Sequence, residues 1–95
     1  MGAQAAYKKA VELAPDLPAA YYSWGVALMR HGDLAGAIAK FADSNKRSPN
    51  WADPLKAWGD ALVRQGHKRE AGEKFDAALK LAPHWRELQQ ERGKL

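Results

Sequence analysis

The sequence predicts an all-α protein, an α-solenoid of about five helices stacked as antiparallel hairpins. Three observations lead there. Pro15, Pro49 and Pro83 fall at equal intervals of 34 residues, and Trp24/Trp58, Gly25/Gly59, Gly32/Gly66, Phe41/Phe75 and Trp51/Trp85 keep the same step. Glycine, proline and tryptophan answer to backbone shape and packing volume, so their joint recurrence reports a repeated structural unit. Between the prolines and glycines, apolar residues recur at three- and four-residue spacing, and no segment alternates with the period of a strand.

Each element follows from its punctuation. Residues 3–14 carry Tyr7, Ala10, Val11 and Leu13 at helical steps, and Pro15 ends the run. Asp16 and Pro18 are a candidate cap and first turn for a helix over about 18–31. Gly32 ends it, because glycine takes the left-handed conformation that follows a helix without steric cost. Asp33 is placed to cap the next helix, about 34–48, which Pro49 closes. The pattern then repeats. Asp53-Pro54 opens a helix to about Gln65, Gly66 breaks it, and residues 68–82 form its partner, ending before Pro83. A last helix of about ten residues starts near His84.

Within each hairpin, Gly25 and Gly59 let a neighbouring helix approach the backbone. Ala37 and Ala71, one helix later, are small enough to be what approaches, with Leu28 and Phe41, then Leu62 and Phe75, filling the surrounding volume. Glycine inside a helix costs about 1 kcal/mol against alanine, so its repeated use implies a compensating gain in packing.

The stretch Trp24-Gly25-x-Ala27-Leu28-x-x-x-Gly32-Asp33-x-x-x-Ala37-x-x-x-Phe41-x-x-Ser44-x-x-x-x-Pro49 resembles a tetratricopeptide repeat, and so does its copy from Trp58 to Pro83. Residues 1–17 resemble the second helix of a partial repeat, through Ala3, Tyr7, Ala10 and Pro15. The boundaries that follow are repeats at 18–51 and 52–85 and a polar capping helix at 86–95, where Arg92 stands in the tryptophan register. The first helix, without its partner, leaves Tyr7, Val11 and Leu13 partly bare.

At about 100° per residue, Tyr21, Trp24, Gly25 and Leu28 share the packing side of one helix, while Ala19, Tyr22, Val26, Met29 and Arg30 share the other. The matching second set in the next repeat is Asp53, Lys56, Asp60, Val63 and Arg64. In tetratricopeptide proteins that second face lines a concave groove where peptides lie. The resemblance therefore implies a partner-binding surface of Tyr22, Val26, Met29, Arg30, Lys56, Asp60, Val63 and Arg64. One half is an apolar stripe, and the other carries charges spaced for pairing within a helix. The alternative is that Tyr22 and Met29 pack against an adjacent helix of this or another subunit. Some members of the family hold a chain-terminal carboxylate with Lys and Asn. Here Tyr22, Val26, Lys56 and Asp60 stand in those places, and only Lys56 agrees, which disfavours recognition of a chaperone tail.

Charge and composition narrow the function. The net charge is +4, but the basic residues are scattered and no nucleic-acid motif accompanies them, so they read as solvated surface and nucleic acid is not the expected partner. There is no cysteine, which removes thiolate catalysis and cysteine zinc sites. His31, His67 and His84 are far apart; the first two are read as meeting exposed carbonyls at helix ends. Carboxylate pairs such as Glu87 and Glu91 read as a solvated helix face. No catalytic or metal-binding motif is present, and no cofactor is expected. No apolar run approaches the ~20 residues that cross a bilayer, and the N-terminus lacks the regions of a secretory signal. A cytoplasmic or excised segment is expected. The implied function is a non-enzymatic scaffold for a protein or peptide. Two alternatives remain: self-association through the unpartnered first helix, or a helical appendage of a larger enzyme such as a glycosyltransferase.

Overall fold

A computed structural model describes residues 2–95, with side-chain surroundings from Gln4 onward. Met1 and the side chain of Ala3, which carry part of the N-terminal expectations, lie outside the described residues. Among the described residues six helices form: α1 (Gly2–Leu13), α2 (Pro18–Arg30), α3 (Leu34–Arg47), α4 (Ala52–Arg64), α5 (Lys68–Leu81) and α6 (Arg86–Gly93). All six segments set out from the punctuation form helices, the last shorter than the ten residues expected, so the stack has six helices against a fold expectation of about five. The described residues contain no strand.

Each helix packs chiefly on its neighbours in sequence. The α2/α3 and α4/α5 hairpins are joined by α3 against α4, with α1 and α6 at the two ends; across a hairpin, α2 also meets α4. Such nearest-neighbour packing gives a stack that is longer than it is wide, 37 × 25 × 18 Å.

The local signals act much as their chemistry dictates. Gly32 and Gly66 have φ of +84° and +85°, and the N–H groups of Asp33 and His67 reach back to the carbonyls of Leu28 and Leu62, both at 2.9 Å. These bonds satisfy carbonyls that a helix end would otherwise leave unpaired. Asp33 Oδ1 accepts from Gly36 N at 2.9 Å and caps α3. Asp16, by contrast, does not cap α2: the N-cap is Leu17, with no side-chain bond. Likewise α4 opens at Ala52 behind Trp51, one residue before Asp53. The prolines explain this. Leu17 N donates to Ala14 O at 3.1 Å, and Trp51 and Trp85 donate to Ser48 and Ala82 at 3.2 Å. Each bond closes a turn with Pro15, Pro49 or Pro83 at its second position, where the ring's fixed φ is pre-set. The turn thus delivers the chain to the next helix without a polar cap. The histidines also differ from expectation. His31 is exposed and contributes its backbone N–H at the end of α2, while His67 sits before α5 with no side-chain cap bond.

The small-residue seam is real, but its occupant differs. A Cβ built on Gly25 would lie 2.5 Å from Phe41 Cε1, and one on Gly59 would collide with Phe75 in the same way. Aromatic rings, not Ala37 and Ala71, press on the glycines, and the two alanines are fully buried beside them. Because Phe41 is itself fully buried, it has nowhere to retreat. Gly25→Leu is therefore expected to destabilise the protein by about 1–3 kcal/mol through overpacking. Thermal unfolding followed by circular dichroism would show it; an unchanged midpoint would mean that no close contact exists.

Candidate functional site

Three helices, α2, α4 and α6, form one wall of the stack, and the 34-residue register sets what each presents there. Tyr22 of α2 packs its ring on Trp51, with centroids 5.1 Å apart, and on Phe41 at 5.9 Å. The same places one repeat later hold Lys56 and Trp85, and there the ammonium lies 5.6 Å from the ring centroid. An aromatic pair in one repeat thus becomes a cation–aromatic pair in the next.

Lys56 is only 9% exposed. Its Nζ lies 2.8 Å from Glu91 Oε1, 3.1 Å from Asp60 Oδ2 and 3.2 Å from Glu87 Oε1. An ammonium has three N–H donors, and each has an acceptor here. Burial alone would favour the neutral amine, but the bonds to Glu91, Asp60 and Glu87 outweigh it and hold Lys56 above its ordinary pKa. Among the acids, burial and then the neighbouring Glu91 push Asp60 up to about 7. Glu91 moves the other way: burial opposes ionisation, but hydrogen bonds from Asp60 and Lys56 prevail and lower it. Of these two neighbouring carboxyls, Asp60 is therefore the one that takes up a proton more readily. Burial, and then the charge of Asp53, raise the Tyr22 phenol as well.

Among the described residues a cleft lies on the α1 side of α2, and two adjoining clefts lie between the helices of this wall. One, of about 390 Å³, has Tyr22, Val26 and Met29 as its apolar side and Arg30, Asp60 and Arg64 at its edges. The other, of about 400 Å³, is lined by Lys56, Val63, Glu87, Glu91, Lys68 and Lys94, and shares Met29, Asp60 and Arg64 with the first. All eight residues singled out from the sequence line one or both clefts. Tyr22 does two things at once, packing on Trp51 and Phe41 while remaining part of the cleft.

Lys56 is not the open groove cation that the helical face suggests, since its neighbours bury and engage it. Glu87 and Glu91 are not simply solvated: both reach Lys56 from α6, and the Glu91 side chain is only 25% exposed. Sequence reasoning missed them, although a signal existed. Glu87 is 34 residues beyond Asp53, which already stands on the inner face. On the outer side, Arg92 takes the tryptophan register and bonds Asp76 through both carboxylate oxygens, at 2.7 and 3.3 Å. In the two complete repeats that place holds Trp24 beneath Lys40 and Trp58 beneath Lys74.

Stacked helix hairpins with a continuous inner wall define an α-helical repeat protein. The family model described as "Tetratricopeptide repeat" matches residues 1–50, and the chain belongs to that family. Its second half repeats the Trp, Gly, Phe and Pro positions of the first, and Gly66 turns as Gly32 does. The fold is shared with the first TPR of Spaghetti (RPAP3), a structure bound to the HSP90 peptide SRMEEVD, at a TM-score of 0.91 and 21% identity over 97% of this chain and 75% of that one. It is similar also to YrrB, described as a TPR protein with an unusual peptide-binding site, at a TM-score of 0.86 and 27% identity over 94% of this chain. MamA aligns with a TM-score of 0.79 and 24% identity over 97% of this chain. The chain spans 45% of YrrB and 46% of MamA. No curated protein matches it in sequence. No helix among the described residues is long and apolar enough to cross a membrane.

Proposed function

We propose that the chain is a non-enzymatic scaffold whose α2/α4/α6 wall binds a segment of a protein partner. The observation that carries this is the pair of joined clefts, to which two successive repeats contribute Tyr22, Val26, Met29 and Arg30 on one side and Asp60 and Arg64 on the other. The neighbours support it: the Spaghetti domain is bound to a peptide, and YrrB is described by its peptide-binding site. A partly exposed apolar stripe beside charged edges suits a short helix or an extended peptide with an apolar anchor. The test is selection from a displayed peptide library on the immobilised chain. Peptides enriched on the wild type are expected to be lost on Tyr22→Ala/Met29→Ala. Equal enrichment on both would refute the groove.

Self-association is the second reading. It is favoured by one observation, the exposure of Leu13 at 77% and Leu17 at 50% at the α1 end of the stack. Apolar side chains bared at the end of a solenoid favour association. A mass in solution that does not change with concentration would eliminate it.

A further inference from the structure

The two clefts divide their charge unevenly. Asp60, Glu87 and Glu91 converge on the single ammonium of Lys56. Arg30, Arg64, Lys68 and Lys94 stand exposed around the same clefts, with no ion pair among the described residues. Arg30 and Arg64 are one repeat apart, at the ends of α2 and α4, and flank the apolar side formed by Tyr22, Val26 and Met29. Asp53 is the further carboxylate whose charge reaches Tyr22. Asp60 and Glu91 thus lie inside against Lys56, Glu87 reaches the same ammonium from a more exposed place, and the unpaired charges lining the two clefts are positive.

Resting on the groove-binding reading above, we propose that the partner is an internal acidic segment, with an apolar side chain between Tyr22, Val26 and Met29 and its carboxylates on Arg30 and Arg64. A chain-terminal carboxylate is not what this groove reads. The one buried lysine already has an acceptor for each N–H donor, two of them supplied by α6, and a guest carboxylate would add a fourth carboxyl group beside three. Arginine suits the role assigned to the edge, because its planar fork meets a carboxylate with two bonds and stays charged at any physiological pH. The arginines are solvated, so complementarity of this kind acts through encounter rate and selectivity and weakens with salt.

The experiment uses four probes on the full chain, with fluorescence anisotropy for affinity and amide NMR shifts for location. They are a Glu-Glu-Leu-Leu-Glu-Glu peptide blocked at both ends, its lysine counterpart, the acidic peptide with a free terminal carboxylate, and oligothymidylate. The blocked acidic peptide is expected to shift the amides of Tyr22, Val26, Met29 and Arg64. Its affinity should fall about fivefold or more between about 0.05 and 0.5 M salt. Arg30→Glu/Arg64→Glu should weaken it about tenfold and favour the lysine peptide, and Arg30→Gln/Arg64→Gln provides the same test if charge reversal harms folding. Freeing the terminal carboxylate should change affinity less than about twofold. The proposal is overturned if the lysine peptide binds the groove as well as the acidic one, if the free carboxylate tightens binding about tenfold, or if oligothymidylate displaces the peptide. Failure of every peptide to move a groove amide would sink the binding function too, which separates the two claims.

Discussion

Phe75→Ala is expected to cost about 3–5 kcal/mol of unfolding free energy, the largest effect of any single change considered. The ring is 1% exposed and packs with Leu55, Leu62 and Leu88, so it links α4, α5 and α6. It also stands in the space that Gly59 leaves empty. Truncation would open a cavity whose glycine wall has no side chain to relax into it. For a chain of 95 residues, total stability is on the order of 5–14 kcal/mol, so the loss takes a large share of it. Urea unfolding followed by circular dichroism measures it, and a loss below about 1 kcal/mol would mean the ring is not packed. A second step isolates the contact. Gly59→Ala harms the wild type but should be nearly harmless beside Phe75→Ala, because the added methyl no longer meets the ring. Strict additivity of the two changes would contradict the interlock.

Lys56→Met is expected to destabilise by about 1–3 kcal/mol near pH 8 and clearly less near pH 5. The side chain is nearly buried and methionine matches its length, so the principal change is electrical: Asp60, Glu87 and Glu91 lose their common cation. The full penalty of breaking a buried pair does not apply, since the Glu87 side chain is 67% exposed and water screens part of the repulsion. The pH dependence follows from the carboxylates. Asp60 is raised in the folded state to about 7, so the folded protein holds a proton that the unfolded chain releases in the range above the ordinary aspartate value. That contribution is complete below the unfolded value and is lost as pH rises through about 7. Glu91 is lowered, so its contribution is present above the ordinary glutamate value and is lost as pH falls. The wild type should therefore lose stability from mildly acid to mildly alkaline pH, and Lys56→Met should lose it more steeply. Asp60→Asn should flatten that slope. A wild-type stability that rises across the interval would contradict the raised Asp60.

Much of the architecture was legible because its causes are local. A glycine that must take positive φ, a proline that sets the second position of a turn, and an apolar stripe at helical spacing each act within a few residues of themselves. Their recurrence at one interval exposes the stack. Asp33 illustrates this, since its cap bond spans only three residues to Gly36. Asp16 shows the limit: a good capping residue went unused because the Pro15 turn delivers Leu17, not Asp16, to the helix entrance.

The sequence by itself determined the helices, their order, the glycines that open the seam and the inner face that carries Tyr22 and Lys56, because these obey the geometry of one helix repeated. Only the tertiary structure decided that Phe41 and Phe75, not the alanines, fill the seam. It alone also decided that Lys56 is enclosed by acids from two helices while Arg30 and Arg64 stay free at the edge. Glu91 reaches Lys56 across 35 residues of chain at 2.8 Å. Such a contact depends on where separate helices come to rest. Its consequence, an Asp60 carboxyl raised while Glu91 is lowered, depends on how much water that packing removes.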